Sequence, residues 1–113
     1  MHQYMQAVQY SKLGPPDVLQ YTTVNDPIIT DDQVCIKVAF ASINHTDIHF
    51  RRGLPGMQSN LPHIPGCDAA GIVDHVGSKV THVKKGDPVF INPTIFCQTC
   101  EFCQKTRLLS LQV

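Results

Sequence analysis

Gly66-Cys67-Asp68-Ala69-Ala70-Gly71-Ile72-Val73-Asp74-His75-Val76 is the stretch on which the fold of this 113-residue chain turns. Cys67 to Val76 is rich in strand-forming residues, and Gly71 interrupts it, where a missing side chain permits a bulge or a sharp bend. Gly77-Ser78 turns the chain directly afterwards, and Lys85-Gly86-Asp87 makes another turn before Val89-Phe90-Ile91. Upstream, Val34, Ile36, Val38 and Phe40 alternate with Cys35, Lys37 and Ala39, the period-2 pattern of a half-buried strand. Cys35 inside that strand reads as a small packed residue rather than a ligand. Nearer the N-terminus, Gln6 to Tyr10 and Val18 to Val24 are strand-like, divided by Gly14-Pro15-Pro16 and closed near Asp26-Pro27. Short strands at close spacing with turn residues between them predict a mainly β chain, a small barrel or sandwich.

One short helix is specified near 44–52. Asn44 can cap it, Asp47 stands three residues on in a capping-box arrangement, and Ile43 and Ile48 occupy the staple positions. Arg51 and Arg52 suit the negative end of the helix dipole, and Gly53 stops it. Leu54 to Pro65, with three prolines, predicts an irregular connection.

Nine basic and nine acidic residues leave no formal net charge, which argues against a nucleic-acid or anionic-membrane partner. Arg51-Arg52 and Lys84-Lys85 read as solvated doublets. The chain has no apolar stretch of transmembrane length and no signal-peptide layout at Met1 to Gln6, so a cytoplasmic location is expected. In a reducing compartment five cysteines read as metal ligands or free thiols.

Cys97, Cys100 and Cys103 form a C-x2-C-x2-C run ten residues before the last residue. Short gaps of this kind let thiolates converge on one zinc ion at about 2.3 Å. Free thiols are the bland alternative. An iron–sulfur site would continue with a cysteine after three intervening residues, where Arg107 stands. Isolated histidines at His2, His63, His75 and His82 lack ligand spacing and carry no assigned role.

Gly66-Cys67-Asp68-Ala69-Ala70-Gly71-Ile72-Val73, then Val76-Gly77, then Lys85-Gly86-Asp87-Pro88-Val89 resembles the G-x-[DE]-x-A-G-x-V…V-G…K-x-G-D-x-V signature of the medium-chain dehydrogenase/reductases. These comprise the zinc-type alcohol dehydrogenases and quinone oxidoreductases. The resemblance begins near Gln6-Ala7-Val8 and takes in Asn44-His45-Thr46-Asp47 and the cysteine triplet. It implies a GroES-like, partly open β-barrel across 1–113, incomplete at its C-terminal end, with a Cys-rich loop at 97–103. It also implies a separate nucleotide-binding Rossmann domain, whose G-x-G-x-x-G fingerprint does not occur in these 113 residues.

Several site expectations follow from the resemblance. The triplet would continue as C-x7-C into a structural zinc lobe, but the fourth position is Leu111. Asn44 stands where zinc alcohol dehydrogenases have a catalytic-zinc cysteine, and Cys67-Asp68 where they have a His-Glu pair. Quinone-reductase-like members often carry Asn at the first position and bind no catalytic zinc. Thr46 and His49 match a hydroxyl–imidazole proton relay, chemistry that suits a group titrating near neutrality. His45 falls near the cofactor phosphates.

Read as residues alone, Asn44 and Asp47 are helix caps and the histidines are surface groups. The expected function is therefore the substrate-side domain of an NAD(P)-dependent oxidoreductase acting on a quinone, enone, aldehyde or alcohol, inactive as this isolated chain. NAD(P) would bind only with a Rossmann domain supplied, and self-association through open strand edges is expected. The alternatives are a non-catalytic GroES-like binding or assembly module, and a frame-altered truncated product, since Thr106 to Val113 leaves the family pattern.

Overall fold

A computed structural model describes residues 3–94 and 99–101 of the chain. The first element, β1 (Tyr4–Gln9), pairs antiparallel with β2 (Gln20–Asn25) in a register running from Tyr4↔Asn25 to Gln9↔Gln20. Met5, Ala7 and Gln9 are half-buried while Tyr4, Gln6 and Val8 face out, as a two-residue period requires. On the exposed side the Gln6 amide donates to the Thr23 hydroxyl at 2.9 Å.

Val18 departs from the expected strand. It ends a 3-10 turn, Pro16–Val18, in which the Leu19 N–H donates to the Pro16 carbonyl at 3.1 Å. Two prolines preset φ and offer no N–H to a ladder, so the chain turns there and the strand starts at Gln20. Val18 is buried by that turn.

A second sheet has the order β3 (Val34–Ser42), β4 (Asp68–Val76), β5 (Pro88–Phe90), antiparallel throughout. The β3–β4 ladder runs from Val34↔Val76 to Ser42↔Asp68 and shifts register twice, between Cys35 and Ile36 and between Val38 and Phe40. The second shift lies against Gly71, the partner of Val38. A Cβ built on Gly71 would strike the Lys37 carbonyl and lie 3.0 Å from the Val38 Cα. The extra residue at that shift is Ala39 on β3, and Gly71 stands opposite it in a β4 unbroken at this point, where close backbone approach leaves no room for a side chain. Val73, 1% exposed, anchors the middle of β4. Its N–H donates to Asp87 and its carbonyl accepts from Gly86, both at 2.9 Å.

Among the described residues the two sheets do not close into one barrel. The fold is mainly strands with one short helix, the partly open arrangement expected. Tyr10, just beyond β1, joins the connection that precedes β4: its backbone exchanges hydrogen bonds of 3.0 and 2.9 Å with His63, and the two rings meet edge-on at 5.5 Å. His63, without a role in the sequence, is a structural contact.

The helix α1 (His45–Arg52) has the expected limits. Gly53, at φ +92°, ends it and donates its N–H to the His49 carbonyl at 2.9 Å. Ile43 is 88% exposed, so the expected staple buries almost none of it. Arg51 corrects the sequence reading more sharply, because it is buried rather than solvated. Its Nε donates to the Gly14 carbonyl at 3.2 Å, and the Gly14 N–H donates to the Arg51 carbonyl at 2.9 Å. The cation therefore ties the helix end to the Gly-Pro-Pro turn. Arg51→Met should cost about 2 kcal/mol, the loss of a hydrogen bond from a charged donor with its acceptor left unpaired. Chemical denaturation reads this, and an unchanged midpoint would mean the tie carries no stability.

No helix among the described residues is long and apolar enough to cross a membrane.

Candidate functional site

Ser42 ends β3, Asp68 begins β4, and the register pairs them directly. Asn44 lies two residues beyond Ser42, at the cap of α1, so three short polar side chains meet where a strand passes into a helix. The Asn44 Nδ2 donates to Asp68 Oδ2 at 2.6 Å and to Cys67 Sγ at 3.6 Å. The Ser42 hydroxyl donates to the same Asp68 oxygen at 2.8 Å. Capping continues alongside: the Asp47 carboxylate accepts the Asn44 N–H at 2.9 Å, and the Asn44 carbonyl accepts the Asp47 N–H at 3.0 Å. Capping accounts for the backbone of Asn44, whereas its amide nitrogen serves a different strand.

The Asn44 amide, and after it the Ser42 hydroxyl, hold the Asp68 carboxyl below its ordinary value of 3.8, against a small opposing push from desolvation. A depressed folded-state value stabilises the fold above pH 3.8, and that contribution is lost as pH falls through the lower, folded value. Asn44→Ala should move the Asp68 midpoint upward towards 3.8, as read by carboxyl NMR titration. An unmoved midpoint would show that the amide does not govern this carboxylate.

The arrangement does not suit the catalytic zinc that the resemblance places at positions 44 and 67. Zinc takes lone pairs from thiolate, imidazole or carboxylate. Asn44 instead directs N–H groups at both the sulfur and the carboxylate, occupying the electrons a metal would need. This is a hydrogen-bonded cluster rather than a ligand set.

Beside it opens a cleft of about 310 Å³ lined by Phe40, Ser42, Asp68, Ala70, Phe90 and Ile91. It is shallow, with apolar walls and polar groups at one end. Phe40 and Phe90 are 78% and 66% exposed, so the cleft is open on one side. Thr46 and His49 are exposed on α1, and the His45 and His49 rings stand 5.9 Å apart. Cys100 is exposed, while Cys97, Cys103 and Leu111 lie outside the described residues.

Sequence reasoning passed over Ser42. Its role comes from the Ser42↔Asp68 pairing, and no local pattern announces a cross-strand partner 26 residues away.

A family described as the alcohol dehydrogenase GroES-like domain matches residues 30–110. Over 92 residues the chain is 42% identical to the quinone oxidoreductase of Sus scrofa, covering 80% of this chain and 28% of that protein. Over 90 residues it is 43% identical to a chloroplastic NADPH-dependent alkenal/one oxidoreductase of Arabidopsis thaliana, covering 78% of this chain and 23% of that one. A thermostable alcohol dehydrogenase from Pyrobaculum aerophilum, solved with cobalt and zinc bound, superposes with a TM-score of 0.82 at 32% identity, over 90% of this chain and 30% of that one. The chain thus spans less than a third of the length of these relatives. The matched model covers more than half of the chain, and the chain belongs to the alcohol dehydrogenase GroES-like domain family.

Proposed function

We propose that residues 1–113 are the substrate-side domain of an NAD(P)-dependent oxidoreductase that reduces a quinone or enone without a catalytic zinc. The observation that carries this reading is the Asn44–Asp68–Cys67 cluster, which fills the expected metal position with a hydrogen-bonded amide. The similarity to quinone and alkenal/one oxidoreductases supports the same choice.

A bound NAD(P)H would supply the hydride. The chain's own residues do the rest. Phe40, Phe90 and Ile91 hold a flat conjugated acceptor and exclude water from one face. Asn44 and Ser42 keep Asp68 ionised and fixed at the polar end of the cleft. Thr46 donates to the acceptor oxygen, His49 delivers the proton that follows the hydride, and His45 meets the cofactor phosphates. Apolar side chains exposed around the cleft, Phe40 and Phe90 above all, are where a cofactor-bearing domain or a second copy packs.

Cys97, Cys100 and Cys103 are proposed to hold a structural zinc, with water or a borrowed group in place of a fourth thiolate. The described Cys35 and Cys67 form no disulfide, which suits a reducing cytoplasm.

A chimera tests the reading. The 92 matched residues would replace their counterpart in the Sus scrofa quinone oxidoreductase. NADPH-dependent quinone reduction insensitive to a chelator is expected, with kcat/KM about tenfold lower once Asn44 becomes Ala. A folded chimera without turnover, or one that a chelator silences while its circular dichroism stays native, would overturn the proposal.

A further inference from the structure

The far end of the β3–β4 ladder, away from Ser42 and Asp68, carries a second cluster. Cys35 pairs with His75, while the next residue of β3, Ile36, pairs with Val73. Asp74 is therefore the extra residue of a bulge. In a regular strand Asp74 and His75 would project from opposite faces of the sheet. A bulge breaks that alternation and re-aims a side chain. Here it brings one ligand atom each from Cys35, Asp74 and His75 within 4.8 Å of one another.

We propose that Cys35, Asp74 and His75 form a binding site for a divalent cation of the zinc class. A thiol, an imidazole and a carboxylate are the mixed donors that borderline cations of this class accept. Around a tetrahedral zinc ion neighbouring donors lie roughly 3.3–3.7 Å apart, so donors already within 4.8 Å of one another need side-chain rotations of about an ångström to close the set. His75 and Asp74 have that freedom, being 51% and 49% exposed at their side chains. Asp74 Oδ2 lies 2.9 Å from His75 Nδ1, so the two neighbouring side chains already converge on one point.

Three protein ligands leave the fourth position to solvent, the form of an open zinc site. The site lies at the opposite end of the β3–β4 ladder from the cluster at Asn44.

Cobalt titration of the full chain tests this, with Cys67, Cys97, Cys100 and Cys103 replaced by Ser so that Cys35 is the one remaining thiol. One equivalent of Co²⁺ should bind with a thiolate-to-cobalt charge-transfer band. Cys35→Ser should abolish the band, and His75→Ala and Asp74→Asn should each weaken binding at least tenfold. No band, or the same band after Cys35→Ser, would overturn the site. If the four-serine chain lacks a folded circular dichroism spectrum, zinc stoichiometry decides between the native chain and Cys35→Ser. One equivalent fewer in the variant is expected, and equal stoichiometry overturns the proposal.

Discussion

Gly71→Ala is expected to abolish the cooperative unfolding of this domain. The added Cβ would meet the Lys37 carbonyl oxygen, the Lys37 carbonyl carbon at 2.9 Å and the Val38 Cα at 3.0 Å. All three are backbone atoms of the neighbouring strand, so no rotamer change can relieve the overlap. Overpacking that side chains can absorb costs about 1–3 kcal/mol. A clash that must part β3 from β4 should reach or exceed about 3 kcal/mol, the top of that range. Domains have only about 5–15 kcal/mol in reserve. This one buries few apolar side chains fully, Tyr10, Val18 and Val73 among the described residues, so its reserve should be at the low end.

Gly66→Ala is the control. Nothing lies within 4 Å of its added Cβ, and only its φ of +115° is strained. It should lose about 1–2 kcal/mol and keep a cooperative transition. Urea denaturation followed by circular dichroism compares the two. Equal midpoints for Gly71→Ala and Gly66→Ala would sink the close-approach explanation.

The 113-residue chain by itself is expected to give no NADPH-dependent reduction of a quinone, enone or aldehyde. Hydride transfer requires the donor carbon about 3–3.5 Å from the acceptor in an aligned pose, and such positioning is worth about 7–11 kcal/mol of barrier. The cleft beside Asp68 can hold an acceptor, but its open side presents Phe40 and Phe90 to solvent. A nicotinamide would have to be held there by a dinucleotide cradle, and the chain has no G-x-G-x-x-G turn to form one. Losing the positioning term alone removes about five to eight powers of ten in rate. A stopped-flow or steady-state assay with NADPH and a quinone panel checks this. Turnover by a variant with all five cysteines replaced by Ser, well above a blank without protein, would refute it, because that variant no longer carries the thiols that reduce quinones by themselves.

Local signals were sound where one residue decides the geometry. Asn44, Asp47 and Gly53 bounded α1 as expected, because caps and stops act within one turn of chain. Expectations failed where a distant partner decides. Arg51 looked like half of a solvated doublet, yet its guanidinium is claimed by the Gly14 carbonyl 37 residues earlier. Val18 fits a strand by composition, and the prolines before it won. The capping reading of Asn44 was correct for its backbone and silent about its side chain, whose partners are Asp68, the first residue of β4, and Cys67 just before it.

By itself the sequence determined the strand-rich class, the helix near 44–52 and the family, because these rest on backbone preferences and short motifs. Tertiary structure alone decided that Ser42 and Asn44 share the Asp68 carboxylate, and that a bulge at Asp74 turns two neighbouring side chains towards Cys35. The reason is register. A strand carries its side-chain alternation in its own residues, but which residue faces it across the ladder, and where one extra residue breaks the alternation, exist only once two strands have paired.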